Sequence, residues 1–244
     1  MQIQYKSSES PDKASYHSNT RKADKFVDGI ILATAKIRWE DIDRLIKEIP
    51  IVLACEYIEN VEVPSVTMDN TAAARETTEY LIRLGHRRIG ILPGPPDDVL
   101  SKDRLKGYCQ ALERHNLPID DSLIQHGDYT AESGYDRMMK FLNCGQRPTA
   151  LFASNDEMAI GAIRACNDMF VRVPEEISII GFDDNSFSEW TNPKLTTVFQ
   201  PKYNIGKQSL RQLHNLIKEG FPLNNKLVLP YQLIERGTTA FAGR

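Results

Sequence analysis

RPTALFASNDEMAIGAIRACNDMFVRVPEEISIIGFDD, residues 147–184, holds two strand-to-loop transitions in succession and decides the reading of the fold. Thr149-Ala150-Leu151-Phe152-Ala153 is a short apolar run of the kind buried on both faces of a parallel sheet. It ends in Ser154-Asn155-Asp156, and a helix carrying Met158, Ala159, Ala162, Ile163 and Cys166 on its apolar side follows. Asn155 thus falls at a helix N-terminus and at the carboxyl end of a strand, where open α/β sheets bind ligands. Ile177–Phe182 is a second buried strand, and Asp183-Asp184-Asn185 emerge from its end. An amide and carboxylates on one rim suit the hydroxyls of a sugar-like ligand.

Outward from this stretch, strand alternates with helix almost throughout, which predicts parallel sheets covered on both faces. The predicted strands are 2–6, 29–34, 51–54, 65–68, 88–92, one near Ile124, an extended segment 195–200 and a strand-like tail 226–236. Helices are predicted over 12–26, 39–48, 71–84, 103–115, 131–142 and 203–219, with Gly85 as a C-cap. Pro50, Pro64, Pro118, Pro148, Pro174 and Pro230 fall between or at the starts of elements, where a missing N–H costs least.

Composition excludes several function classes. With 244 residues, 41% hydrophobic, 26% charged and a net charge of −3, the chain is long enough for one large or two small domains. No apolar run approaches the roughly 20 residues of a membrane span, and the opening MQIQYKSSESPDKASY has no apolar core for a secretory signal. Cys55, Cys109, Cys144 and Cys166 stand far apart without a CxxC pair, as reduced thiols of a cytoplasmic protein would. Neither these cysteines nor the five histidines have metal-ligand spacing, so no metal and no cofactor are expected.

Catalytic motifs are also missing. There is no GxSxG elbow, no GxxxxGK[ST] loop and no GxGxxG after a strand. In Gly90-Ile91-Leu92-Pro93-Gly94-Pro95 the prolines remove the amides a phosphate cradle requires. Adjacent acidic pairs such as Asp97-Asp98 and Asp183-Asp184 point apart and do not make an acid–base pair across a substrate. The run His86-Arg87-Arg88 reads as a solvated boundary rather than a nucleic-acid patch, and the acidic net charge opposes phosphate binding.

Residues 63–95, VPSVTMDNTAAARETTEYLIRLGHRRIGILPGP, together with DRLKGYCQAL (103–112), GDYTAESGYDRM (127–138), TALFASNDEMAIGAI (149–163), VPEEISIIGFDD (173–184), PKLTTVFQPKYNIG (193–206) and LIERGTTA (233–240), resemble the effector-binding core of the LacI/GalR family of bacterial transcription regulators. LTTVFQPKYNIG and LIERGTTA are most similar to its cytidine-repressor branch. The resemblance implies a periplasmic-binding-protein-like fold of two lobes, each a doubly wound, mainly parallel sheet, with a hinge that closes on a ligand. Crossings are expected near Gly85-His86, Phe199-Gln200-Pro201 and Leu223-Asn225, giving an N-terminal lobe of 1–85 and 201–223 and a C-terminal lobe of 86–200 and 224–244.

The same resemblance implies the site residues. Arg104, before Leu-x-Gly, becomes the fork that clasps two ligand oxygens; the residue alone reads as a solvated surface arginine. Asp183 becomes the acceptor for ligand hydroxyls, with a turn or N-cap carboxylate as its plain alternative. Asp69 and Asn155 can cap helices, contact ligand or do both. Tyr129 would present an aromatic face to a sugar or base, or simply sit at a loop. Gln200, Ser154 and Leu100 are weaker candidates, and Trp190 either lines the site or packs in the core.

Family members carry a helix-turn-helix and hinge helix ahead of the first strand and helix of the first lobe. This chain reads as entering at the second strand, with the first lobe lacking its first strand and helix, so residues 2–6 and 29–34 are either separated or forced to pair directly. The implied partners are a small sugar or nucleoside effector, a second subunit in a homodimer, and operator DNA through the helix-turn-helix module; no membrane partner is expected. Two other readings stay open: a solute-binding protein for sugar transport, and an enzyme acting on a sugar or nucleoside, which the missing catalytic motifs disfavour.

Overall fold

Short runs of β-branched and aliphatic residues form the strands because they are buried on both faces, and the amphipathic segments between them cover those faces. The computed structural model describes residues 27–33, 42–145 and 147–243 and the backbone of 3–6. In chain order the strands are β1 (Ile3–Lys6), β2 (Gly29–Leu32), β3 (Ile51–Ala54), β4 (Ser65–Met68), β5 (Ile89–Leu92), β6 (Ala150–Ala153), β7 (Ser178–Ile180), β8 (Thr197–Phe199), β9 (Lys226–Leu229) and β10 (Gln232–Ile234). The helices are α1 (Asn70–Arg83), α2 (Val99–Arg114), α3 (Ala131–Leu142), α4 (Asp156–Asp168) and α5 (Lys202–Glu219).

Two compact units result: Met1–Met68 with Pro201–Leu229, and Asp69–Gln200 with Pro230–Arg244. Unit one is built on a parallel sheet in the order β1-β2-β3-β4-β9. Val52, Val66, Ile205 and Leu213 join its sheet to α5. Strand β1 pairs β2 directly, with Ile3 opposite Gly29, which is the second of the two arrangements expected for these segments. The predicted helix 12–26 lies outside the described residues. So does the start of the predicted helix 39–48; in its described part Ile42 is helical and a 3-10 turn, Leu45–Lys47, follows.

Unit two holds the parallel sheet β5-β6-β7 and an antiparallel pair of β8 with β10. Its core gathers Phe141, Leu151, Met158, Ile163 and Ile179, all buried. Helices α3 and α4 pack backbone to backbone: a Cβ on Gly161 would meet the Ala131 carbonyl at 1.8 Å, so only glycine fits. The strand near Ile124 is an isolated bridge to Ile91.

The unit boundaries, 68/69 and 229/230, differ from those expected at 85/86 and 223/224. Helix α1 belongs with unit two because it packs on α2, where a Cβ on Gly107 would meet the Thr71 carbonyl at 2.3 Å. The predicted tail strand 226–236 breaks at Pro230: β9 pairs β4 in unit one, whereas β10 pairs β8 in unit two. Hydrophobic patterning sees both halves of that tail as one extended run; only the pairing partners separate them.

Candidate functional site

The carboxyl ends of β5, β6 and β7 form one rim of unit two, and the candidate residues are built onto it. Helix α2 starts at Val99, four residues before the predicted start, because the Asp98 carboxylate caps it by accepting from Leu100 N at 2.9 Å. Arg104 therefore lies in the second turn, on the buried side with Ser101 and Tyr108. Only 3% exposed, it is not the solvated arginine of the plain alternative. Its Nε donates to Asn70 Oδ1 at 3.1 Å, its Nη1 donates to the Ser154 carbonyl, and its Nη2 stands 3.8 Å from Asp183 Oδ1. The guanidinium also lies 3.8 Å above the centre of the Phe182 ring. A buried cation is tolerable only with such a set of acceptors, an opposite charge and an aromatic face.

Asn155 caps α4, its Oδ1 accepting from Met158 N at 3.0 Å, while its Nδ2 donates to the Tyr129 carbonyl at 2.8 Å. That second bond holds Tyr129 in the left-handed region, φ 72°, which a tyrosine rarely adopts. The ring is thereby laid against Gly94, where a Cβ would sit 2.1 Å from it, and the hydroxyl donates to Asp98 Oδ2 at 2.6 Å. Burial raises the pKa of this phenol, the Arg104 charge opposing the rise, so it stays a neutral donor. Asn155 and Tyr129 are thus partly committed to each other and to Asp98.

Asp183, at φ 105°, and Asp184, at φ 49°, make the sharpest backbone departure on the rim. Asp183 is held by its backbone N–H on the Val198 carbonyl at 2.9 Å. Asp184 turns away to Arg236, 2.7 Å from its Nη2. Asp156, the first residue of α4 and fully buried, accepts from Asn185 N at 2.7 Å and from the Thr197 hydroxyl. Gln200, buried just after β8, ends the same edge. Asp69 is exposed and caps α1 by accepting from Ala72 N at 2.8 Å; its neighbour Asn70 reaches Arg104. The hydroxyls of Ser101 and Ser154 are buried without a hydrogen-bond partner among the described residues, an imbalance that asks for an explanation.

Unit two thus brings Arg104, Asp183, Asn155 and Tyr129 into one network, with Asp69 joined through Asn70 and Gln200 on the same edge. Trp190 is 82% exposed, so core packing is excluded for it. Asn70, Asp98, Asp156 and Phe182 were not foreseen. The signals for the first two were present: an Asx pair at the end of a strand, and a carboxylate one residue before a helical run. Asp156 and Phe182 gain their roles only from contacts distant in sequence.

Other features lie elsewhere. A depression of about 480 Å³ in unit one opens among Pro50, Pro64 and Asn225, at the amino ends of β3, β4 and β9. Another in unit two, about 440 Å³, lies along α3 at Asp128, Ser133 and Arg137. Neither is lined by Arg104 or Asp183. Among the described residues no group of three His, Cys, Asp or Glu side chains is placed to hold a metal ion, and no helix is long and apolar enough to cross a membrane. No disulfide joins the described cysteines: Cys166 is buried, its thiol pushed up to about 12 by desolvation, Cys55 and Cys109 are half-buried, and Cys144 is exposed.

Comparison with known proteins agrees with this architecture. The family of periplasmic binding protein-like domains matches residues 78–239. The HTH-type transcriptional repressor CytR of Escherichia coli K12 is 36% identical over 216 residues, which cover 88% of this chain and 63% of the repressor, so the chain spans under two thirds of that relative's length. A putative LacI transcriptional regulator from Bacillus cereus subsp. cytotoxis matches with a TM-score of 0.83 at 30% identity, over 88% of this chain and 77% of that one. A complex of the regulator CelR with cellobiose matches with a TM-score of 0.82 at 32% identity, over 88% and 67%. These relatives are transcription regulators rather than enzymes. With a family match across two thirds of its length, and regulators of one type among both its sequence relatives and its structural neighbours, the chain belongs to the LacI family, as a periplasmic-binding-protein-like effector-binding domain.

Proposed function

We propose that this chain is the ligand-sensing part of a LacI-type transcription regulator, and that a small sugar or nucleoside binds at the rim carrying Arg104, Asp183, Asn155, Tyr129, Asp69 and Gln200. The observation that carries the reading is Arg104. A buried guanidinium held by Asn70, the Ser154 carbonyl and the Phe182 ring keeps its fork in one orientation, and its ion pair with Asp183 is loose at 3.8 Å. A ligand hydroxyl can accept from Arg104 and donate to Asp183, completing that pair. The unsatisfied hydroxyls of Ser101 and Ser154, and the positive φ values at Tyr129, Asp183 and Asp184, support the same edge. Asn155 and Tyr129 act chiefly as positioning residues, because their polar groups already serve the loop.

A ligand that favours one state of the regulator changes operator affinity by the difference in its affinity for the two states. The cellobiose complex of one structural neighbour makes a sugar the first probe. Calorimetric titration with cytidine, adenosine, ribose, glucose and cellobiose tests the reading. At least one should bind, and Arg104→Ala and Asp183→Ala should each weaken it by about 2–5 kcal/mol, the usual cost of deleting one partner of a buried charged hydrogen bond. Unchanged affinity in both variants contradicts the assignment.

A further inference from the structure

We infer that the effector is uncharged or carries a hydrogen-donating cationic group, and that the rim rejects phosphorylated sugars, nucleotides and sugar acids. This rests on the reading of the rim as the effector site. Helix N-termini ordinarily attract anions through their free N–H groups and the positive end of the helix dipole. Three helices start at this edge, and at each a side chain of the chain itself already accepts from one of the first amides: Asp69 takes Ala72 N at 2.8 Å, Asp98 takes Leu100 N at 2.9 Å, and Asn155 takes Met158 N at 3.0 Å. Two of those caps are carboxylates, so the places that would welcome an anion carry negative charge instead.

The cations are likewise engaged. Arg104 is bound to Asn70, the Ser154 carbonyl and Asp183, and Arg236 to Asp184 at 2.7 Å. Five carboxylates, Asp69, Asp98, Asp156, Asp183 and Asp184, stand on this edge against those two guanidiniums. The Asp98 carboxylate accepts from the Leu100 amide and the Tyr129 hydroxyl, and it is buried, so its charge is weakly screened. A phosphate, with about −1.5 to −2 charge at neutral pH, meets like charge here. A hydroxyl or an amine meets acceptors. Exclusion by misplaced charge is an ordinary source of specificity.

The experiment is a calorimetric titration of the whole chain with matched pairs: cytidine and cytidine 5′-monophosphate, adenosine and its 5′-monophosphate, ribose and ribose 5-phosphate, glucose and glucose 6-phosphate. For the pair that binds, the phosphorylated member should be weaker by about tenfold or more at low salt, with the gap shrinking as salt is raised. Asp98→Asn keeps a good N-cap, so it should fold, and it should narrow the gap by raising the affinity of the phosphorylated member. Asp69→Asn should do so less, because Asp69 is exposed. Equal or tighter binding of the phosphorylated member in the unsubstituted chain overturns this inference and leaves the effector-site reading standing. Binding of no member of any pair, and of no cellobiose either, overturns both.

Discussion

Strands β6 and β7 each carry a buried polar network at both ends, and the two ends differ in kind. At the carboxyl end stand Arg104, Asp183, Asp156 and Asn155, with charge, positive φ values and unsatisfied hydroxyls nearby. At the amino end stands His86, 3% exposed, with Nδ1 3.0 Å from the Thr149 hydroxyl and Nε2 3.1 Å from both Ser178 Oγ and the Ala240 carbonyl. Around it the C-terminal segment is stitched down: Ile179 N donates to the Thr238 carbonyl at 2.8 Å, Thr238 Oγ1 to the Ile179 carbonyl at 2.7 Å, and Ala240 N to Ser178 Oγ at 3.0 Å. This network is neutral and both ring nitrogens have partners. The Ser178–His86 contact even has the atoms of a nucleophile and its base, yet both residues are buried and both are occupied in holding the tail. Burial of polar groups marks both ends; only the carboxyl end builds its network from charged side chains.

The comparison can be broken most sharply at His86. Replacing it with alanine removes partners from Thr149, Ser178 and Ala240 at once, and should cost about 2–4 kcal/mol of stability in chemical denaturation, while effector affinity stays within about twofold of the original. A large loss of affinity at unchanged stability would mean that the amino-end clip belongs to the site.

A pH series sharpens the same point. Burial lowers the His86 pKa below its usual 6.5, with the Ala240 carbonyl only partly offsetting the effect. The unfolded chain therefore binds more protons than the folded chain below about pH 6.5, and its stability must fall as the pH drops through that window toward the lowered folded value. The slope attributable to this one group cannot exceed about 1.4 kcal/mol per pH unit. His86→Ala should remove that contribution to the slope. An unchanged slope between pH 7 and 5 in the variant would show that His86 is not the titrating clip.

The smallest effect belongs to Tyr129. Tyr129→Phe deletes the bond to Asp98 but leaves the ring on Gly94, so about 1 kcal/mol of stability should be lost, measured by thermal unfolding, with a modest loss of affinity. Abolished binding would make the Tyr129 hydroxyl a direct ligand contact rather than a support.

Much of this is legible in the sequence. Strands 51–54 and 65–68 and helix 131–142 match the observed elements end to end, because apolar runs bounded by turn residues admit few alternatives. Asp69, Asn155 and Asp183 stood at strand ends by position alone. What patterning could not supply was pairing distant in sequence. The break of the tail at Pro230 into strands of different sheets, and the seating of α1 on α2, depend on contacts that leave no periodic trace. His86 was misread for a related reason. Followed by Arg87 and Arg88 it resembles a solvated basic run, and only Ser178 and Ala240, 92 and 154 residues away, turn it into a buried clip. Arg88 lies outside that clip and pairs with Asp120 at 2.9 Å.

The central claim, that one end of the sheet binds and the other only holds, is tested most directly by measuring effector affinity and unfolding temperature together for Arg104→Lys and His86→Ala. Lysine keeps the charge of Arg104 but loses the planar fork that can grip two oxygens. Affinity should fall about tenfold or more in Arg104→Lys, with a smaller drop in unfolding temperature than His86→Ala suffers, and stay nearly unchanged in His86→Ala. The opposite pattern, with affinity lost in His86→Ala and retained in Arg104→Lys, would contradict that claim.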